Sequence, residues 1–153
     1  MPIFKAIAAM ASNRVIGNQG KLPWHISEEL QWFRQTTLHK TLLMGRKTFE
    51  SMGCRPLPQR TTYVLSSQKI SYEGVHIIAS MDELSNLQGT IWLCGGAHVY
   101  EQFLPRCSEL LLSVIHKPYE GDAFFPKFEH FFQNREILKA TKAFEIQRWV
   151  RVV

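Results

Sequence analysis

The chain predicts an α/β fold: an eight-stranded, mostly parallel sheet with an antiparallel C-terminal edge, flanked by four helices. Three observations lead there. Beta-rich segments alternate with short helical ones, which favours parallel pairing through right-handed crossovers. Leu42-Leu43-Met44 and Ile91-Trp92-Leu93-Cys94 are near-continuous apolar runs, the pattern of strands covered on both faces. Two strands near the C-terminus have no helix between them, which suits an antiparallel edge.

In chain order, strands are expected at Phe4–Ala11, Thr41–Met44, Thr61–Leu65, Val75–Ile78, Thr90–Cys94, Glu109–His116, Glu136–Lys139 and Phe144–Val152. Helices are expected at Ile26–Leu38, Lys47–Met52, Met81–Leu87 and His98–Phe103. In the last strand Phe144, Ile146, Val150 and Val152 share a face, with Arg148 as the exception. Gly17-Asn18-Gln19-Gly20 is a turn-rich loop after the first strand. Gly53-Cys54-Arg55-Pro56-Leu57-Pro58 is a stiff connector between helix and strand. There is no internal repeat and no low-complexity tract.

The 153 residues suit a single domain spanning the whole chain. A chain this long buries roughly 68–70% of its unfolded surface, enough for a core without staples. Hydrophobic content of 45% and charged content of 20% are ordinary for a globular protein. No apolar run approaches the ~20 residues of a membrane span, so no membrane partner is expected. Met1-Pro2-Ile3-Phe4-Lys5 lacks the marks of a signal peptide, which points to the cytoplasm. Cys54, Cys94 and Cys107 are odd in number and widely spaced, and the six histidines are scattered. Neither a disulfide framework nor a metal site is expected. The formal charge of +5 comes from dispersed cations with no run of five. That argues against nucleic acid and for small polyanionic ligands.

Glu29 is the residue most at odds with its surroundings. Advancing about 100° per residue from Ile26, the residues Ile26, Leu30 and Phe33 fall on one helical stripe. Glu29 lies beside Phe33 on that stripe, whereas Glu28 points away and serves the helix N-terminus. A carboxylate on an apolar face is costly to bury unpaired. Burial raises its pKa, which suits proton chemistry near neutral pH.

Three strand ends carry chemistry for an anionic ligand, and ligands of open α/β sheets gather at such ends. In Met44-Gly45-Arg46-Lys47-Thr48 a strand meets a glycine and then a helix that opens with two cations and a hydroxyl. In Cys94-Gly95-Gly96-Ala97-His98-Val99-Tyr100 two glycines allow close backbone approach. Ser66-Ser67 follows Leu65, where the hydroxyls serve either a phosphate or a turn. Together they suggest an extended ligand with several anionic groups, such as a dinucleotide, with Glu29 at its far end.

The set of motifs resembles dihydrofolate reductase. Leu22-Pro23-Trp24, Glu29, Leu30, Phe33, Met44 to Ser51, Arg55 to Arg60, Leu65-Ser66-Ser67, Gly95 to Phe103, Glu120-Gly121-Asp122 and Phe125-Pro126 carry the likeness. It runs from about residue 3 to the last strand. The resemblance implies NADPH-dependent reduction of 7,8-dihydrofolate to tetrahydrofolate, with hydride transfer to pterin C6 and protonation of N5. Glu29 would hold the pterin and promote that protonation, with Trp24 and Ser113 beside it. Ile7, Ala8 and Cys94 would line the pocket, Tyr100 would border the nicotinamide, and Leu30, Phe33, Met52 and Leu57 would pack the substrate rings. Arg60 would pair with the folate α-carboxylate. Gly45, Arg46, Lys47 and Thr48, with Leu65, Ser66 and Ser67, would meet the cofactor, Arg46 and Ser67 near the 2′-phosphate. Gly95, Gly96, Ala97, His98 and Val99 would hold it from the facing strand end, with a cis bond between the glycines. Ala9, Ile16, Gly17 and Asn18 would also bind the cofactor, and Gly17–Lys21 would belong to the loop that closes over the nicotinamide. Residues 40–88 would form an adenosine-binding subdomain. A monomer, tetrahydrofolate biosynthesis in one-carbon metabolism and a role as an antifolate target follow from the same likeness.

The chain departs from the family pattern in places. The acid is Glu where many bacterial members have Asp. Cys54 is an extra residue, Ala97 replaces a common glycine, and His98 replaces a common arginine. Ala79 falls near where some members carry a cofactor-binding lysine, a loss Lys47 offsets. Two other readings stand beside this one. A related pterin or flavin-precursor reductase would share the fold but has no need of Arg60. A basic RNA-binding module follows from charge alone and leaves Glu29 unexplained.

Overall fold

The computed structural model describes residues 2–152. Ten strands and three α-helices alternate in the order β1 (Ile3–Ala11), β2 (Val15–Gly17), α1 (Ser27–Thr37), β3 (Thr41–Gly45), α2 (Arg46–Ser51), β4 (Thr61–Leu65), β5 (His76–Ile78), β6 (Thr90–Leu93), α3 (Ala97–Phe103), β7 (Cys107–Ile115), β8 (Ala123–Phe124), β9 (Phe132–Ala140) and β10 (Phe144–Arg151). Eight strands form one sheet in the order β5-β4-β3-β6-β1-β7-β10-β9. Pairings from β5 through to β7 are parallel, and β7-β10-β9 is antiparallel, so the sheet is mixed.

The expected fourth helix is absent. Met81–Leu87 yields one 3-10 turn at Met81–Leu84, started by a capping box between Ser80 and Glu83. Ser85 and Asn86 favour turn geometry, and Gly89 at φ +84 redirects the chain into β6. A second 3-10 turn, Leu104–Arg106, closes α3 at Pro105. The expected strand at Glu136–Lys139 extends over Phe132–Ala140, because β10 offers it a partner along its full length. β2 and β8 went unforeseen. They form a separate two-stranded sheet, too short for a period of two to show in sequence.

Alternate residues of β1 feed opposite faces. Ala6, Ala8 and Met10 pack with Val99, Tyr100 and Leu104 on the α3 side. Ile7 packs with Leu42, Met44 and Phe49, flanked by Trp32 and Phe33 of α1. A third cluster joins Ala11, Val15 and Trp24 to Phe144 and Ile146. Phe49 is fully buried, and truncating such a side chain costs about 3–5 kcal/mol. Among the described residues no helix is long and apolar enough to cross a membrane.

Because β6 inserts between β1 and β3, the chain reverses its direction of growth across the sheet there. A crevice opens at the carboxyl ends of the strands at such a point.

Candidate active site

One cleft of about 1410 Å³ runs along those strand ends. A site for one small ligand holds roughly 300–1,000 Å³, so this cleft has room for two ligands end to end.

Its acidic end is built by α1 and β1. Glu29 lines the cleft beside Leu30 and Phe33, and its side chain is buried. Burial pushes its carboxyl above the usual range, and the nearby Ser113 hydroxyl partly opposes that rise. Ser113 is itself fully buried and makes no hydrogen bond of normal geometry, so it is a close neighbour of Glu29 rather than a bonded partner. Ser113 stands opposite Ala9 in the β1–β7 ladder. Trp24 is buried and does not line the cleft; its ring lies 5.6 Å from that of Tyr119, and its indole N–H has no acceptor among the described residues.

Ile7, Ala8 and Ala9 bring the end of β1 into the cleft, with Cys94 from the end of β6. Burial pushes the Cys94 thiol up to about 12, so it stays neutral. Met52 and Leu57 supply the apolar wall facing Leu30 and Phe33. Arg60 is not among the lining residues. Its Nε donates 3.3 Å to Thr37 Oγ1, its Nη1 donates 2.6 Å to the Pro58 carbonyl, and its Nη2 donates to the Arg34 carbonyl. Those bonds hold the guanidinium still and leave further donors on both Nη atoms.

The glycine-ended strands meet along the middle. Gly45 N donates 2.9 Å to the Gly95 carbonyl, and the Gly95–Gly96 bond is cis. A Cβ on Gly96 would stand 3.0 Å from Thr48 Oγ1, so glycine permits that approach. Arg46, Lys47 and Thr48 line one side of the cleft, and Ala97, His98, Val99 and Tyr100 line the other. Leu65, Ser66 and Ser67 line the third strand end. The Ser66 hydroxyl closes a turn on Gln68, accepting 3.0 Å from its N–H, whereas Ser67 is exposed.

Ile16 and Gly17 border the acidic half. Asn18 does not line the cleft. It pairs with Lys21 across a two-residue turn in which Gln19 and Gly20 both have positive φ, 51° and 80°. Asp122 secures that turn, accepting 3.2 Å from Gln19 N, and its own N–H donates 3.1 Å to Gly17 O.

Several lining residues were missed in sequence. Arg34 lies four residues beyond Leu30 on the same helical face, a spacing that could have flagged it. Ser80, Met81 and Asp82, next to the Ala79 singled out in sequence, follow the end of β5, and the same strand-end rule applied there would have found them. Arg55 and Gln102, which lie within the family-like motifs but were given no role, also reach the cleft, as does Arg106, which has no local signal.

A strand-end cleft with glycine floors, cations along its middle and a buried acid at one end defines an α/β enzyme that takes a phosphate-bearing nucleotide beside a second ligand. Comparison with known proteins narrows this. The family model for dihydrofolate reductase matches residues 3–147. A dihydrofolate reductase of Haemophilus influenzae is 44% identical over 127 residues, covering 81% of this chain and 79% of its own. One from Haloferax volcanii is 37% identical over 139 residues, covering 82% and 72%. The structure of the Enterococcus faecalis dihydrofolate reductase, complexed with NADP(H) and RAB-propyl, superposes with a TM-score of 0.90 at 36% identity, covering 97% of this chain and 96% of that one. The chain belongs to the dihydrofolate reductase family.

Proposed function

We propose that the chain catalyses NADPH-dependent reduction of 7,8-dihydrofolate to 5,6,7,8-tetrahydrofolate. The observation that carries this is Glu29, a buried carboxyl whose proton affinity is raised, in a cleft that also presents the cations Arg46 and Lys47 and the glycines Gly45, Gly95 and Gly96. NADPH, when bound, supplies the hydride for pterin C6.

The residues present fit both ligands. Glu29 accepts from the pterin N3 and 2-amino groups and promotes protonation at N5, with Ser113 and Trp24 shaping its surroundings. Ile7, Ala8 and Cys94 face the pterin and nicotinamide, and Tyr100 borders the nicotinamide. Leu30, Phe33, Met52 and Leu57 pack the substrate rings and exclude water. Arg60, held by its three neighbours, turns its remaining donors to the folate α-carboxylate. Arg46, Lys47, Thr48 and Ser67 meet the phosphates, Arg46 and Ser67 the 2′-phosphate. Gly45, Leu65, Ser66, Gly95, Gly96, Ala97, His98 and Val99 complete the cofactor cradle. Residues 40–88 carry the adenosine end. Ala9, Ile16, Gly17 and Asn18 contact the cofactor, and Gly17–Lys21 belongs to the loop that covers the nicotinamide. Aligning the two reacting carbons removes much of the entropic part of the barrier.

Mixing the protein with dihydrofolate and NADPH tests this. Absorbance of the reduced nicotinamide should fall only when both are present, and no loss at any pH would reject the reading. A pterin without the glutamate tail should turn over poorly. Equal turnover of the two substrates would favour a related pterin reductase instead.

A further inference from the structure

Arg46 reaches the cleft already engaged. Its Nη1 donates 2.8 Å to Glu50 Oε1, one turn further along α2. The other carboxylate oxygen, Oε2, accepts 2.7 Å from the Tyr72 hydroxyl. Tyr72 belongs to a different element, the connector between β4 and β5 that also carries Ser66 and Ser67. Its ring packs 5.2 Å from the ring of Phe49, which is fully buried. Neither Glu50 nor Tyr72 is among the residues lining the cleft.

A single surface arginine–glutamate pair at this helical spacing contributes little. The third partner changes its character. With one donor on each oxygen, the plane of the Glu50 carboxylate is set, and with it one edge of the guanidinium. The remaining donors of Arg46 are left for the cleft in a fixed orientation. The electrostatics agree with the geometry. Tyr72 and Arg46 hold Glu50 below the usual carboxyl range, and Glu50 pushes the Tyr72 phenol up to about 12. The carboxylate therefore stays charged and the phenol stays a donor throughout the neutral range.

We infer that Tyr72 and Glu50 are positioning residues for cofactor choice: Tyr72 orients Glu50, Glu50 orients Arg46, and the oriented guanidinium distinguishes NADPH from NADH by its 2′-phosphate. The relay couples the two elements that present cations and hydroxyls to that phosphate, so both move as one unit. This rests on the role proposed above for Arg46 and supplies the origin of its geometry. The opposite possibility is that Glu50 merely masks the charge of Arg46, and it predicts the opposite sign on removal.

Calorimetric Kd values for NADPH and NADH decide between them. Tyr72→Phe should raise the NADPH Kd about fivefold, the effect of one net hydrogen bond, and leave NADH unchanged. Glu50→Ala should raise it about tenfold, because a charge-assisted bond is lost. Glu50→Gln keeps an oxygen for Arg46 and should recover part of that loss. In turnover, KM for NADPH should rise while kcat at saturation holds. Tighter NADPH binding by Glu50→Ala, or equal weakening of both cofactors in Tyr72→Phe and Glu50→Ala, overturns the inference. Arg46→Ala separates the two layers. If it leaves the NADPH-to-NADH ratio intact, Arg46 does not read the phosphate and the relay falls with it. If it collapses the ratio while Tyr72→Phe does not move it, the relay alone falls.

Discussion

The Tyr100 phenol in α3 donates a 2.6 Å hydrogen bond to the Ile7 carbonyl in β1. The bond is buried, and it crosses the floor of the cleft between the helix after the glycine pair and the strand beside Ser113. Burial drives the phenol well above its ordinary pKa, so it remains a donor. Tyr100→Phe leaves the Ile7 carbonyl unsatisfied. Stability should fall by about 1–3 kcal/mol, read as a lower urea midpoint with an unchanged slope. An unaltered midpoint would show that water replaces the phenol at no cost.

The buried carboxyl of Glu29, proposed above as the proton-handling group, also makes folding depend on pH. Its carboxyl is raised above 4.5 in the folded chain, chiefly by burial. The folded chain therefore binds more protons than the unfolded one between 4.5 and the raised value. Stability is greatest below that window, falls as pH rises through it, and stays lower above. Glu29→Gln removes this slope, so the variant should gain on the parent when pH is raised from about 4 to about 7. Its turnover near neutrality should drop roughly 10²–10⁴-fold. Near-parental turnover would remove Glu29 from the proton chemistry.

Glu129 behaves in the opposite sense. The hydrogen-bonded Arg14 guanidinium draws its carboxyl down to about 2. Its contribution is complete above the ordinary carboxyl value and is lost as pH falls through about 2. Half of the side chain is exposed, so the effect is modest. Glu129→Gln should lower the thermal midpoint near neutrality and converge on the parent only as pH falls to about 2. A constant offset across pH would assign the loss to packing instead.

Gly121 supports the small second sheet. A Cβ there would stand 2.3 Å from Val15 Cγ1 and 2.5 Å from the Gly17 carbonyl, and Val15 is buried. Gly121→Ala must displace β2, which leads into the turn held by Asp122. A loss of about 1–3 kcal/mol in denaturant and weaker NADPH binding should follow. Normal values of both would mean the segment yields freely.

The stretches legible in sequence were those where one local pattern carried the information. The apolar runs of β3 and β6 marked strands buried on two faces, and glycines marked their ends at Gly45 and Gly95-Gly96. Helical periodicity put Glu29 on the apolar stripe of α1, where the structure buries it. Met81–Leu87 misled because its apolar spacing suits a helix while the turn residues within it stop one after a single turn.

Chain order and side-chain periodicity alone thus marked the long strands, three of the four expected helices and the buried stripe of α1, because those depend on neighbours a few residues away, whereas the short β2 and β8 carried no such mark. Only the tertiary structure decided that Tyr72 meets Glu50, that Arg60 is held by Thr37 and Arg34, and that Asp122 secures the turn at Gln19. Each of those bonds joins separate segments of the chain, the last across 103 residues. Such partners are set by how the sheet orders its strands and where its connections cross, and no period in the local sequence encodes that.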